Sequence, residues 1–344
     1  MFAFNLNFTK RLGGLSLRKL TTIALFLFSA GLIFGCVAED NQVHNDDQTI
    51  NVVTTIYPFA DFVRQVGGEK VKVIYLLAGG ASPHTYEPTV EQARLVNEAH
   101  LFIYCGAGLD DWAVGLAEAA GPDLILLDLS TKVPLLDSAS YSRPGESEDH
   151  EEGEDHEEDE QHEDADDHEH DHGPADPHYW LDPLIVRDSI FPAIHEELLR
   201  VNPADEEYFK DNFEKYRNEL TLLHEEIASA TLTFKRSNFV AFHSAWQYFA
   251  RRYNLREVAV IADFPGQEPS AGWLVDLVQL IHSEDVAAIF AEPQFSAALA
   301  ESIAKDSGVP VLIADPLGGD DLPGRESYLK MMRFNLKLFR SVME

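Results

Sequence analysis

From residue 50 onward, short β-branched apolar runs alternate with segments whose apolar positions recur every three or four residues. Runs at 52–57, 71–77, 101–105 and 124–129 read as buried strands. A second set, at 239–242, 258–262, 287–291 and 309–314, repeats the pattern, with helical segments such as 272–281 and 297–307 following its members. Strand and helix in alternation predict an α/β fold with a mostly parallel sheet. Because the alternation occurs twice, two (β/α) lobes are expected.

Between the sets, Tyr208, Phe209, Phe213, Tyr216, Leu220, Leu223 and Ile227 recur at helical spacing within a charged stretch at 204–230. Asn202-Pro203 is a helix-start signal, and Glu206 and Glu207 suit the positive end of the helix dipole. A helix of about 27 residues would be ~40 Å long, enough to run the length of both lobes. The expected division is therefore 50–201 for the first lobe, 202–233 for a linking helix and 234–344 for the second lobe.

The ends and the charge change this picture. Lys10, Arg11, Arg18 and Lys19 precede an apolar stretch too short to span a bilayer comfortably, so residues 1–36 read as an export signal. Its last residues, Gly35-Cys36, are similar to a bacterial lipobox, which would make Cys36 the lipidated first mature residue; the alternative is an ordinary signal with an incidental cysteine. Residues 37–49 read as a tether. Without Cys36 only Cys105 remains of the two cysteines, so no internal disulfide is available and Cys105 reads as a small buried hydrophobe. The formal net charge of -33 is unevenly spread. Much of it lies at 146–172, a run of Glu, Asp and His that has nothing to bury and should be a mobile loop. An acidic surface excludes nucleic acid as a natural partner, since phosphate binding needs clustered Lys and Arg.

Three residues, His84, His243 and Asp315, stand where ligands bind in parallel sheets, beyond the carboxyl ends of strands, and a fourth, His178, directly follows the acidic run. His84 lies in a Gly- and Pro-rich loop, Ser82-Pro83-His84-Thr85-Tyr86-Glu87-Pro88. His178 sits in Asp176-Pro177-His178-Tyr179-Trp180-Leu181-Asp182-Pro183, where two Asp-Pro pairs stiffen the backbone. His243 ends a strand in Ala241-Phe242-His243-Ser244-Ala245-Trp246, and Asp315 ends another in Ala314-Asp315-Pro316-Leu317. Taken singly they also read as a surface histidine, which a loop histidine more often is, a turn that ends the acidic run, a satisfied core histidine and a capping or turn aspartate. No short ligand motif joins them.

These segments, with Glu268-Pro269-Ser270 and Phe290-Ala291-Glu292-Pro293-Gln294-Phe295-Ser296 in the same order, resemble the metal-binding cluster A-I substrate-binding lipoproteins of bacterial zinc and manganese ABC importers, from about residue 51 to the end. The resemblance implies that His84 and His178 from the first lobe meet His243 and Asp315 from the second in the cleft between them. It also makes the long helix a rigid strut. A histidine-rich site favours Zn²⁺ over Mn²⁺, which prefers more oxygen. The same resemblance implies a monomer, held by a lipid anchor at the outer face of the cytoplasmic membrane or in the periplasm, that hands its ion to an ABC permease. In the acidic loop, His150, His156, His162, His168, His170 and His172 would bind further metal weakly, or the loop would be a metal-indifferent spacer. Competing readings are a manganese or iron receptor on the same scaffold, a zinc-dependent hydrolase and a surface adhesin. Three imidazoles and a carboxylate would close a four-coordinate sphere, which argues against an enzyme.

Overall fold

The computed structural model describes residues 49–138, 175–262, 269–296 and 298–344. The expected export signal, the Cys36 lipidation site and the acidic loop with its six histidines lie outside the described residues, as does the tether up to residue 48.

The first lobe comprises β1 (Ile50–Thr54), α1 (Tyr57–Gly67), β2 (Val71–Tyr75), α2 (Val90–Asn97), β3 (Leu101–Tyr104), α3 (Trp112–Ala120) and β4 (Ile125–Asp128). Its strands are all parallel in the order β2-β1-β3-β4. A two-residue antiparallel pair follows, β5 (Leu136–Asp137) and β6 (Ala175–Asp176). After α4 (Phe191–Val201) and α5 (Glu206–Thr231), the second lobe comprises β7 (Asn238–Ala241), α6 (Gln247–Arg252), β8 (Arg256–Val260), α7 (Ala271–Ser283), β9 (Ile289–Ala291), α8 (Ala298–Ser307), β10 (Val311–Ile313) and α9 (Tyr328–Met343). Its parallel sheet runs β10-β9-β7-β8, the order of the first sheet repeated. In each sheet the chain goes one way from the first strand and then the other. This opens a crevice at the strands' carboxyl ends, where open parallel sheets bind ligands.

The expected strand at 52–57 stops early: β1 ends at Thr54 and Tyr57 already begins α1. Ile56 is extended at the N-cap and Pro58, with its fixed φ and no N–H to lose, occupies the first turn. Both Ile56 and Tyr57 are buried, so hydrophobicity alone reads straight through the boundary. The long helix forms as expected. α5 has 26 residues, with Phe209, Tyr216, Leu220, Leu223 and Ile227 buried along one face.

That face lies in a hydrophobic core that runs from Ile50, Phe59 and Ile103 in the first lobe to Phe239, Phe290 and Phe339 in the second. The lobes therefore share one interior, and Thr49–Glu344 is a single compact unit. Smaller clusters cover the other faces of the sheets, around Phe102 and Ala113 and around Val240 and Leu277. Polar bonds also cross the junction. The buried Asp61 carboxylate of α1 accepts from Tyr328 N at 2.8 Å and from the Tyr216 hydroxyl at 3.4 Å, tying together α1, α5 and α9. Trp180 Nε1 donates to Pro316 O at 2.8 Å, and Arg64 forms a two-pronged pair with Asp320 at 2.8 and 3.1 Å.

Candidate metal centre

Each expected histidine is placed by a short, locally determined loop. His84 lies in a tight turn, Pro83–Thr85, beyond β2. The loop crosses Gly80 at φ +80, a left-handed conformation that favours glycine. It is pinned by Trp112 Nε1 donating to Pro83 O at 2.9 Å and by the Tyr86 hydroxyl donating to Leu76 O at 2.9 Å. His178 follows β6, in a turn where the Asp176 carboxylate accepts the His178 N–H at 2.9 Å. The next two residues, Tyr179 and Trp180, are fully buried anchors, and the Tyr179 hydroxyl donates to Cys105 O at 2.6 Å. His243 stands two residues past the end of β7.

The three imidazoles meet. Ring centroids are 5.2 Å apart for His178 and His243, 5.5 Å for His84 and His178, and 5.7 Å for His84 and His243. One nitrogen from each lies within 4.8 Å of the others. The Nε2 atoms of His178 and His243 are 3.4 Å apart. In a tetrahedral zinc site with Zn–N near 2.05 Å, two nitrogens stand about 3.3 Å apart, so this spacing is that of two ligands on one ion. Apolar Trp180 and Phe295 border the same pocket.

The opposite side of two rings is held by carboxylates. His178 Nδ1 is 2.8 Å from Asp176 Oδ1, and His243 Nδ1 is 2.6 Å from Glu292 Oε2. A neutral imidazole that donates its Nδ1–H to a carboxylate carries its lone pair on Nε2, which here faces the pocket. The Nε2 of His84 is buried without a hydrogen-bond partner among the described residues. An unpartnered buried ring nitrogen is uncommon in a folded interior and suits a metal ligand.

Burial, with the neighbouring His178 and His243 adding to it, pushes the His84 pKa down to about 2. Burial also holds His178 well below the ordinary histidine value. His243 is different. Burial is the largest influence and pulls it down, but the charge and hydrogen bond of Glu292, with the charges of Glu257 and Asp176, together turn the net direction up. Burial lifts Asp176 to about 7. Two of the three imidazoles are thus neutral and ready to coordinate at ordinary pH.

The fourth expected donor, Asp315, is not brought into this cluster. Among the described residues, the only group of three or more metal-type donors is His84, His178 and His243. Asp315 Oδ1 accepts from the N–H groups of Leu317 and Gly318 at 2.9 and 3.0 Å, and Oδ2 accepts from Arg325 at 2.8 Å. The carboxylate therefore holds the turn after β10, and the geometry differs from the expectation because its partner Arg325 lies ten residues farther on. Glu292 and Asp176 are residues whose place the sequence did not reveal. Both lie in segments singled out above, yet only the fold sets them behind the rings. Cys105 is buried as expected, its thiol donating to Pro177 O at 3.4 Å. The other described histidines stay away: His195 stacks on Phe213 and His282 bonds Val278 O within its helix.

Fold and cluster together define a two-lobed α/β binding protein with a three-imidazole candidate metal centre where the carboxyl ends of its two sheets meet. The sequence matches the family of zinc-uptake complex component A, periplasmic, over residues 52–342, and the chain belongs to that family. It is 30% identical over 321 residues to the zinc-binding lipoprotein AdcA of Streptococcus pneumoniae, which covers 92% of this chain and 60% of that protein. The chain thus spans about 60% of the length of that relative. Identity to the high-affinity zinc uptake system protein ZnuA of Bacillus subtilis is 28% over 291 residues, covering 83% of this chain and 85% of that one. Among solved structures, a crystal structure of ZnuA superposes with a TM-score of 0.71 at 26% identity, covering 86% of this chain and 100% of that chain. The Zn(II)-bound ZnuA-like domain of Streptococcus pneumoniae AdcA superposes with a TM-score of 0.66 at 27% identity, covering 86% and 99%.

Proposed function

We propose that this protein is an exported receptor that captures Zn²⁺ through His84, His178 and His243 and delivers it to the permease of an ABC importer. The observation that carries this reading is the convergence of three imidazoles on one pocket, two of them with their Nδ1 atoms held by buried carboxylates. Neutral nitrogen donors at tetrahedral spacing suit zinc, whereas Mn²⁺ would call for more oxygen. The zinc-uptake names of the family and of its relatives point the same way. The ion is cargo and the protein is not an enzyme. Cys36 carries a lipid anchor; among the described residues no helix is long and apolar enough to cross a membrane. The six histidines of the acidic loop add weak binding without forming the main site. Purified protein equilibrated with equal Zn²⁺ and Mn²⁺ should retain one tightly held zinc, lost in His178→Ala and kept when residues 146–172 are deleted. Manganese retained in preference, or zinc lost with the loop, would overturn the assignment.

A further inference from the structure

The segments that carry His178 and His243 belong to different lobes, and one side chain joins them by hydrogen bonds. Tyr248 lies in α6, five residues past His243, and is 3% exposed. Its hydroxyl accepts from the Leu136 N–H at 2.8 Å and donates to Asp176 O at 3.0 Å. Leu136 and Asp176 stand opposite one another in the β5–β6 ribbon, so the hydroxyl grips both strands at once. The Tyr248 ring meets Tyr179, the residue after His178, edge to face at a centroid distance of 6.4 Å.

A two-stranded ribbon is marginal in water even at ordinary strand length, and here each strand has two residues. The ribbon needs support from outside, and Tyr248 supplies it from the second lobe. What it supports is the backbone of Asp176, whose Oδ1 accepts the His178 N–H at 2.9 Å and lies 2.8 Å from His178 Nδ1. From the Tyr248 hydroxyl to the imidazole the connection is therefore short, running through the Asp176 carbonyl and then its carboxylate. At the other end Tyr248 is fixed to the His243 segment. Ala245 N donates to His243 O at 2.9 Å, Ser244 Oγ donates to Glu257 Oε1 at 2.9 Å, and Trp246 is fully buried.

Resting on the three-imidazole reading, we infer that Tyr248 is a positioning residue of the metal centre: its hydroxyl sets the Asp176–His178 pair against the His243 segment, so that the 3.4 Å spacing of the two Nε2 atoms is fixed by the protein's own hydrogen bonds. The orientation of a metal-binding imidazole is governed by the group that holds its far nitrogen, and that group must itself be held. Without the hydroxyl, the Leu136 N–H and Asp176 O lose this partner and the ribbon is free to shift relative to His243. Because the bridge and the ion favour the same arrangement, zinc must strengthen the bridge by the factor that the bridge strengthens zinc binding.

Tyr248→Phe keeps the ring and removes the hydroxyl, which makes it the test. In chelator competition it should bind one Zn²⁺ about 5-fold more weakly, short of the roughly 10-fold or more expected for loss of a direct partner of a ligand. In metal-free protein isotopically labelled at the histidine ring nitrogens, the His178 Nδ1–H resonance, identified by its change in Asp176→Asn, should shift or broaden in Tyr248→Phe. The His243 resonance, identified with Glu292→Gln, should stay in place. Leu220→Ala, on the buried face of α5, is the comparison for a purely structural effect: it lowers stability and should leave both resonances and the affinity unchanged. In the wild-type protein, hydrogen exchange at the Leu136 amide should slow about 5-fold on addition of zinc, the reciprocal of the same coupling. Wild-type affinity in Tyr248→Phe, or equal movement of both resonances, overturns the inference. So does Leu136 exchange that is indifferent to zinc, a measurement that stands even if Tyr248→Phe does not fold. Failure of the underlying histidine reading is separate, since it would appear as zinc retained by His178→Ala.

Discussion

Replacing Glu292 with glutamine tests the site where sequence and structure diverge most. Glu292 is 1% exposed, its carboxylate lies 2.6 Å from His243 Nδ1, and glutamine keeps its shape while removing its charge. Two opposed effects follow. The anionic partner makes His243 a better donor, and loss of such an outer group lowers metal affinity about 10- to 100-fold, or about 1.4–2.7 kcal/mol. The same partner raises the His243 pKa, so that below this raised value a proton must leave before the ion binds. Glu292→Gln removes that competition. Its affinity deficit should therefore be full above the raised pKa and should narrow as pH falls through and below about 6.5, the ordinary histidine value. Competition titrations against a chromophoric chelator from pH 5.5 to 9, with circular dichroism confirming the fold, read this directly. Wild-type affinity across the range, or a deficit that grows with acidity, would refute the role assigned to Glu292.

In the wild-type protein, zinc affinity should rise about tenfold per pH unit below the raised His243 pKa and level off above it. Of the three imidazoles only His243 is shifted upward, since His84 is pushed down to about 2 and His178 also lies below its usual value; a slope near three would mean that all three imidazoles compete. Asp176→Asn, behind His178, should cost about 10- to 100-fold in affinity with one ion still bound per chain, measured by the same titration; an unchanged constant would remove Asp176 from the site. Leu220→Ala on the buried face of α5 should destabilise the protein by about 2–5 kcal/mol in denaturant unfolding while leaving metal stoichiometry at one. Asp61→Ala should cost about 1–3 kcal/mol, because the buried Tyr328 N–H and Tyr216 hydroxyl lose their acceptor. An unperturbed melting curve for either of these two variants would contradict its structural role.

The continuous core has a consequence for release. Domains that move freely meet across modest, polar interfaces, but here Phe59, Leu220, Phe290 and Phe339 belong to one hydrophobic cluster. Separating the lobes would therefore expose apolar surface that both of them bury.

Alternation of β-branched runs with helical spacing was enough to place all eight strands of the two main sheets to within a few residues, and the period of apolar residues from Phe209 to Ile227 was enough for α5. Those signals are local, because each residue's preference for strand or helix is set by near neighbours and by which face must be buried. The boundary at Ile56 and Tyr57 was misread because burial is the same on both sides of it. The three histidines were legible only through resemblance. Nothing local links His178 to His243, which are 65 residues apart in sequence and 3.4 Å apart at their Nε2 atoms. The tertiary structure alone decided the rest: that Asp176 and Glu292 stand behind two rings, that Asp315 is held by Arg325, and that Ser82 and Gln294 are left without partners in the pocket. Hydrogen bonding is directional and short-ranged, so a polar side chain's role depends on where several loops end relative to one another. No pattern along the chain encodes that position.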